Sequence, residues 1–158
     1  MVAEGYLNAL RRICARLEGG RVTWAVTGSL GMALQGVPLA VHDVDIQTDG
    51  DGAYEIARHF SDCVVTPVRH VASERIRSHF GALEIGGVRV EIMSDVQKRL
   101  DDGRWEEPVD VARYRRWVAV EGLRVPVLSL VYEYRAYRAL GRRERAGMLC
   151  DWLRQQGP

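Results

Sequence analysis

Asp43 and Asp45 stand two residues apart in the stretch Val41 to Thr48, where Val44 and Ile46 alternate with them. Residues two apart on a strand leave the same face about 7 Å from each other, so both carboxylates can converge on one cation. Oxygen ligands of this kind suit hard divalent metals such as Mg²⁺. Glu91 lies in a second alternating stretch whose Val88, Val90 and Ile92 face the other way. If the two strands are sheet neighbours, Glu91 is a third carboxylate in the cluster, and without a cation the three charges repel. Two aspartates on a strand are also a common solvated face, and Glu91 could instead pair with Arg89 or Arg77. Asp95, just after Ser94, reads as a helix-dipole residue rather than a ligand.

Upstream, Gly28-Ser29 falls where a β-branched stretch, Val22 to Thr27, gives way to a helical pattern at Leu30, Met32, Ala33 and Leu34. A serine hydroxyl and unpaired backbone amides at that junction suit nucleotide phosphates, although the same atoms also serve an ordinary helix cap. The interval from Ser29 to Asp43 accommodates one helix and a return strand, which makes phosphate seat and metal seat adjacent. Phosphoryl chemistry follows. One Mg²⁺ lowers the pKa of an acceptor hydroxyl, and a second bridges the triphosphate and offsets charge on departing pyrophosphate. Arg135 and Arg142 are candidates to reach that triphosphate from the C-terminal helices, against the alternative of surface ion pairs. His42 is the histidine nearest the cluster; no histidine pair has metal-ligand spacing.

Thr27-Gly28-Ser29-Leu30-Gly31 followed by His42-Asp43-Val44-Asp45-Ile46 resembles the glycine-serine and Asp-x-Asp motifs of the DNA polymerase beta-like nucleotidyltransferase superfamily. Arg89-Val90-Glu91-Ile92 looks like its third acidic motif. The resemblance covers about Val22 to Met93, with a weaker echo at Gly141-Arg142, and is strongest toward small bacterial forms related to lincosamide-type antibiotic nucleotidyltransferases and to uncharacterised stand-alone domains. In many relatives that glycine-arginine step continues Lys-Asp; here it continues Arg143-Glu144-Arg145. The resemblance implies an αβαβ core with a mixed sheet, Mg²⁺-dependent transfer of a nucleoside monophosphate (NMP), and metal ligands at Asp43, Asp45 and Glu91.

The elements that must position these residues are legible in part. Leu7, Leu10, Ile13, Cys14 and Leu17 recur at helical steps from Val2 to Leu17, and Gly19-Gly20 ends the run. Asp49-Gly50-Asp51-Gly52 turns into a helix from about Ala53 to Phe60, and a short strand follows near Cys63 to Thr66. Pro67 to Arg75 gives no clear pattern. About Ile76 to Ile85 and Val88 to Met93 form an antiparallel hairpin about Gly86-Gly87. Ser94 with Gln97 reads as a capping box opening a short helix through Leu100. Val109 to Val127 holds irregular structure with a strand or two. Ser129 caps a helix to about Leu140, Gly141 breaks it, and another runs from Arg142 to Gln156.

With 158 residues, 47% of them hydrophobic, the chain fits one folding unit with a helical tail. A net charge of +1 supplies no global pull toward nucleic acid, which favours a small-molecule partner. Cys14, Cys63 and Cys150 lack paired spacing, so neither a disulfide framework nor a zinc site is expected. Trp24, Trp105, Trp117 and Trp152 read as packing residues rather than a base-stacking platform. No apolar run is long enough for a bilayer and no secretory pattern opens the chain, so a cytoplasmic protein without membrane contact is expected.

The resulting expectation is an α/β (α+β) nucleotidyltransferase fold, a core over residues 1–127 and a C-terminal helical segment over 128–158. Its expected function is Mg²⁺-dependent transfer, with two ions, of an NMP group from a nucleoside triphosphate (NTP) to a hydroxyl on a small molecule, or on a protein as the lesser case. Expected site residues are Asp43, Asp45 and Glu91 for metal and catalysis, with Gly28, Ser29, Arg135 and Arg142 for nucleotide. The rival expectation is a non-catalytic nucleotide-binding or toxin-antitoxin module of the same fold.

Overall fold

The computed structural model describes residues 2–157. Helix α1 (Glu4–Leu17) turns Leu7, Leu10, Ile13 and Leu17 inward at the three- and four-residue steps of its sequence, and ends before Gly19, whose φ is +71°. Strand β1 (Trp24–Thr27) runs into helix α2 (Gly28–Leu34), and β2 (Val44–Thr48) returns antiparallel beside β1. Asp43 lies just ahead of β2 rather than inside it. Helix α3 (Gly52–His59) leads to β3 (Val64–Ala72), β4 (Ile76–Ile85) and β5 (Val88–Lys98). Then come the short α4 (Val111–Tyr114), the hairpin of β6 (Arg115–Val120) and β7 (Leu123–Leu128), and the helices α5 (Leu130–Ala139) and α6 (Arg143–Gln155).

The seven strands form one mixed sheet in the order β3-β4-β5-β2-β1-β7-β6, with β2–β5 and β1–β7 parallel and the other neighbours antiparallel. Strand alternation sorts the core by face. Val26, Val44, Ile46, Val90 and Ile92 pack with α1 and α3, whereas Ala25, Val96 and Leu128 pack with Val111 of α4 and Tyr132 of α5. Leu149 of α6 packs on Met32 and Val37, which seats the C-terminal helices against α2.

Three expectations change. Ser94 does not cap a helix: β5 continues to Lys98 and Ser94 is fully buried within it. Between the pairs His79↔Ser94 and Arg77↔Gln97, β5 carries one more residue than β4. That bulge holds Asp95 at φ 52°, where its Oδ1 accepts from the Gly50 amide at 2.8 Å. The bulge also reverses the alternation, so Val96 and Lys98 face α5 alongside Met93. The unread stretch Pro67 to Arg75 is mostly β3, an edge strand in which Pro67 and exposed charges are tolerated. Finally, not every tryptophan packs inside. Trp117 is 45% exposed, with the Arg115 and Arg124 guanidiniums 5.0 and 4.5 Å from its ring centroid, and Arg77 and Arg99 flank Trp105 in the same way.

The hairpin at Gly86-Gly87 forms as its sequence predicts, both glycines at positive φ, which is what a tight two-residue turn between twisted strands requires. Ser129 caps α5 by accepting the Tyr132 amide at 3.2 Å.

Candidate active site

Register places three site residues in one row. Thr27 on β1 pairs with Asp45 on β2, and Asp45 pairs with Glu91 on β5, so their side chains leave the same face of three adjacent strands. Asp45 and Glu91 are close enough for their carboxyl groups to share a proton, and Asp43 adds its charge from the start of β2. Burial, then Glu91, then Asp43 push the Asp45 carboxyl up to about 7, against a smaller downward pull from Arg89. Arg89 holds Glu91 directly, its Nε donating to Oε2 at 2.9 Å.

Glu91 thus shares a face with its register partner Asp45 and forms the ion pair with Arg89 that the sequence also allows. No three His, Cys, Asp or Glu side chains among the described residues converge tightly enough, as they stand, to hold a metal ion. The donor set nevertheless suits one. It is all oxygen, comes from adjacent strands, and holds a carboxyl that burial and its acidic neighbours push up.

Gly28 closes the row from above. Its φ is +69°, and a Cβ built on it would stand 2.5 Å from Asp45 Oδ2, so only glycine lets the turn sit this low over the carboxylate. Ser29 is 8% exposed, and its Oγ accepts the His42 amide at 3.2 Å, which pins the loop entering Asp43 to the turn. His42 thus contributes its backbone to the site.

Two further residues come from the C-terminal helices, and the motifs did not reveal them. Glu133 on α5 is 3% exposed; it accepts the Thr27 hydroxyl and, at 3.2 Å, the Gly28 amide. Burial pushes its carboxyl up to about 7, opposed by those two hydrogen bonds. Tyr137, one helical turn on, shares that face of α5 and feels the charges of Glu133, Arg145, Arg142 and Asp45; burial raises its hydroxyl pKa. Arg145 lies over the Tyr137 ring at 5.5 Å. Arg142 and Arg145 thus both lie near Tyr137. Arg135 lies about 200° around α5 from Glu133 and lines two clefts, one with Arg75, Arg138 and Arg143 and one with Lys98, Glu106 and Tyr132. A carboxylate at an inward position of an amphipathic helix was the available signal for Glu133.

Behind the row, the Gln47 amide donates to the Tyr132 hydroxyl at 3.1 Å, and Lys98 Nζ reaches the same hydroxyl at 3.4 Å and Glu106 at 2.9 Å. This buried chain, which the β5 bulge makes possible, braces β2, β5 and α5 against one another.

The fold and the enzyme class that it carries are those of a nucleotidyltransferase. More narrowly, the chain belongs to the aminoglycoside-2''-adenylyltransferase family, whose model matches residues 9–151. It is 55% identical to a Thermotoga maritima protein whose crystal structure is described as that of a "putative nucleotidyltransferase", covering 98% of this chain and 96% of that one with a TM-score of 0.87. A lincosamide antibiotic adenylyltransferase bound to lincomycin shares the fold at 15% identity and a TM-score of 0.55, over 84% of each chain. So does ANT(2'')-Ia in complex with adenylyl-2''-tobramycin, at 13% identity and a TM-score of 0.56, over 94% of this chain and 89% of that one. No curated protein matches the sequence.

Proposed function

We propose that this enzyme transfers an NMP group from an NTP to a hydroxyl of a small polyhydroxylated acceptor, releasing pyrophosphate. The observation that carries this reading is the Thr27–Asp45–Glu91 row, which sets two carboxyl groups from adjacent strands on one face of the sheet beneath the Gly28 turn. Asp43, Asp45 and Glu91 would hold Mg²⁺, which supplies charge neutralisation for the triphosphate and acidifies the attacking hydroxyl. The chain's own residues position and neutralise. The Ser29 hydroxyl and the first-turn amides of α2 beyond Gly28 face the phosphates, since the Gly28 amide is engaged by Glu133. Arg142 and Arg145 add positive charge from the α5–α6 end of the chain, and Arg89 holds Glu91, the carboxylate that would turn to Mg²⁺ when it binds.

Support for the acceptor class comes from the family's name and from the two antibiotic-modifying enzymes that share the fold. No described helix is long and apolar enough to cross a membrane. The test incubates the protein with Mg²⁺, each of ATP, GTP, CTP and UTP, and a panel of aminoglycosides, lincosamides and simpler amino sugars. Acceptor-dependent pyrophosphate release, absent in Asp45→Ala, is the expected result. Release of nucleoside diphosphate or free phosphate would instead point to kinase or hydrolase chemistry and overturn the reading.

A further inference from the structure

Glu133 is a carboxylate set where the packing of α5 calls for an apolar side chain, and among the described residues no cation is bonded to it. Burying a carboxylate without an ion-pair partner is costly, and an apolar residue at that position would pack the helix more cheaply. What the carboxylate adds is specific. A single oxygen, Oε1, accepts from both the Thr27 hydroxyl and the Gly28 amide, across 106 and 105 residues of sequence. Those two donors are the register partner of Asp45 and the glycine packed onto its Oδ2.

The geometry points to Glu133 as a positioning residue: through Thr27 and Gly28 it fixes the glycine turn against Asp45, and so sets where the triphosphate meets the acid row. The inference rests on the reading of that row as the metal and nucleotide site. Three features make the arrangement more than a packing contact. Gly28 occupies a left-handed conformation, and Glu133 Oε1 is the acceptor that meets its amide there. The same contact withdraws that amide from the phosphate seat and leaves the Ser29 end of the turn to receive the ligand. And Glu133 shares its helix face with Tyr137, whose surroundings include Arg142 and Arg145, so one helix aligns the turn and the basic residues together.

Calorimetric titration with Mg²⁺ and the non-hydrolysable analogues of the four NTPs tests this well below the melting temperature, where affinity is insensitive to global stability. Thr27→Val and Glu133→Leu are each expected to weaken nucleotide binding about tenfold, the size of one lost charge-assisted hydrogen bond. The double variant is expected to bind no more weakly than the worse single one, because both changes break the same contact. Thr27→Ser, which restores the hydroxyl, recovers most of the loss. Should Glu133→Leu fail to fold, the Thr27→Val and Thr27→Ser pair decides alone. Unchanged affinity with a lowered melting temperature, or additive losses in the double variant, would make Glu133 a structural anchor only and overturn the inference. If the wild type binds no analogue, or Asp45→Ala binds as tightly as the wild type, the reading of the acid row falls and the inference falls with it.

Discussion

Asp45 on β2 and Glu91 on β5 stand opposite each other in parallel register, with carboxyl groups near enough to share a proton. A pairing of like charges at the centre of a sheet opposes folding, and it is tolerable where a ligand relieves it.

Replacing Asp45 by asparagine should therefore stabilise the ligand-free protein while removing function. The substitution keeps the shape and deletes the charge that Glu91 and Asp43 oppose. A melting temperature a few degrees above wild type without Mg²⁺, together with loss of Mg²⁺-dependent nucleotide stabilisation, is the expected calorimetric result. An unstable Asp45→Asn would show that the carboxylate serves the fold.

Gly28→Ala carries two separate penalties. The left-handed φ of +69° costs an L-residue roughly 1–2 kcal/mol, and the new methyl must displace Asp45 Oδ2, 2.5 Å away. Denaturant unfolding should show a loss of at least that size. Pyrophosphate release should fall further than the stability loss accounts for, because the carboxylate itself is moved.

The carboxyls of Asp45 and Glu133 lie near 7 in the folded protein, above the usual carboxylate range near 4. Between about pH 4 and 7 the folded state thus binds more protons than the unfolded one, and stability falls as pH rises through that window. The contribution is fully present below about pH 4 and lost through 7. Denaturant midpoints of ligand-free protein at about pH 5 and 8 should show the decline, and the decline should shrink in Asp45→Asn. On the proposed reading Mg²⁺ would compete with the Asp45 proton, so its affinity should climb over the same interval. Midpoints that do not move with pH would contradict the electrostatic account of the row.

Arg142→Ala and Arg145→Ala should each weaken nucleotide binding several-fold, with a flatter salt dependence, whereas Arg135→Ala should not, since Arg135 projects into another cleft. Equal effects from all three would mean that bulk positive charge, rather than placement on the Tyr137 side of α5, attracts the triphosphate.

Lys98→Met tests the brace behind the row. Its loss leaves Glu106 and the Tyr132 hydroxyl without their shared donor, at a cost of about 1.5–3 kcal/mol in denaturant unfolding.

Sequence alone determined the features that follow local rules. Asp45 and Glu91 share a strand face as period-two alternation predicts, Gly28 falls at the strand-to-helix junction, Gly86-Gly87 follows hairpin chemistry and Ser129 caps its helix; each is decided within a few residues. Tertiary structure alone decided the rest. The Ser94–Gln97 spacing imitates a capping box, but pairing with β4 outweighs it, and the Asp95 bulge then sends Lys98 to the opposite face. Which arginine lies near which helix face depends on how α5 packs, and that sets Arg142 and Arg145 near Tyr137 and Arg135 on another side of the helix. Glu133 meets Thr27 and Gly28 only after the chain has closed across more than a hundred residues. Its role comes from burial beside particular donors, and burial is a property of the assembled fold rather than of neighbouring residue types.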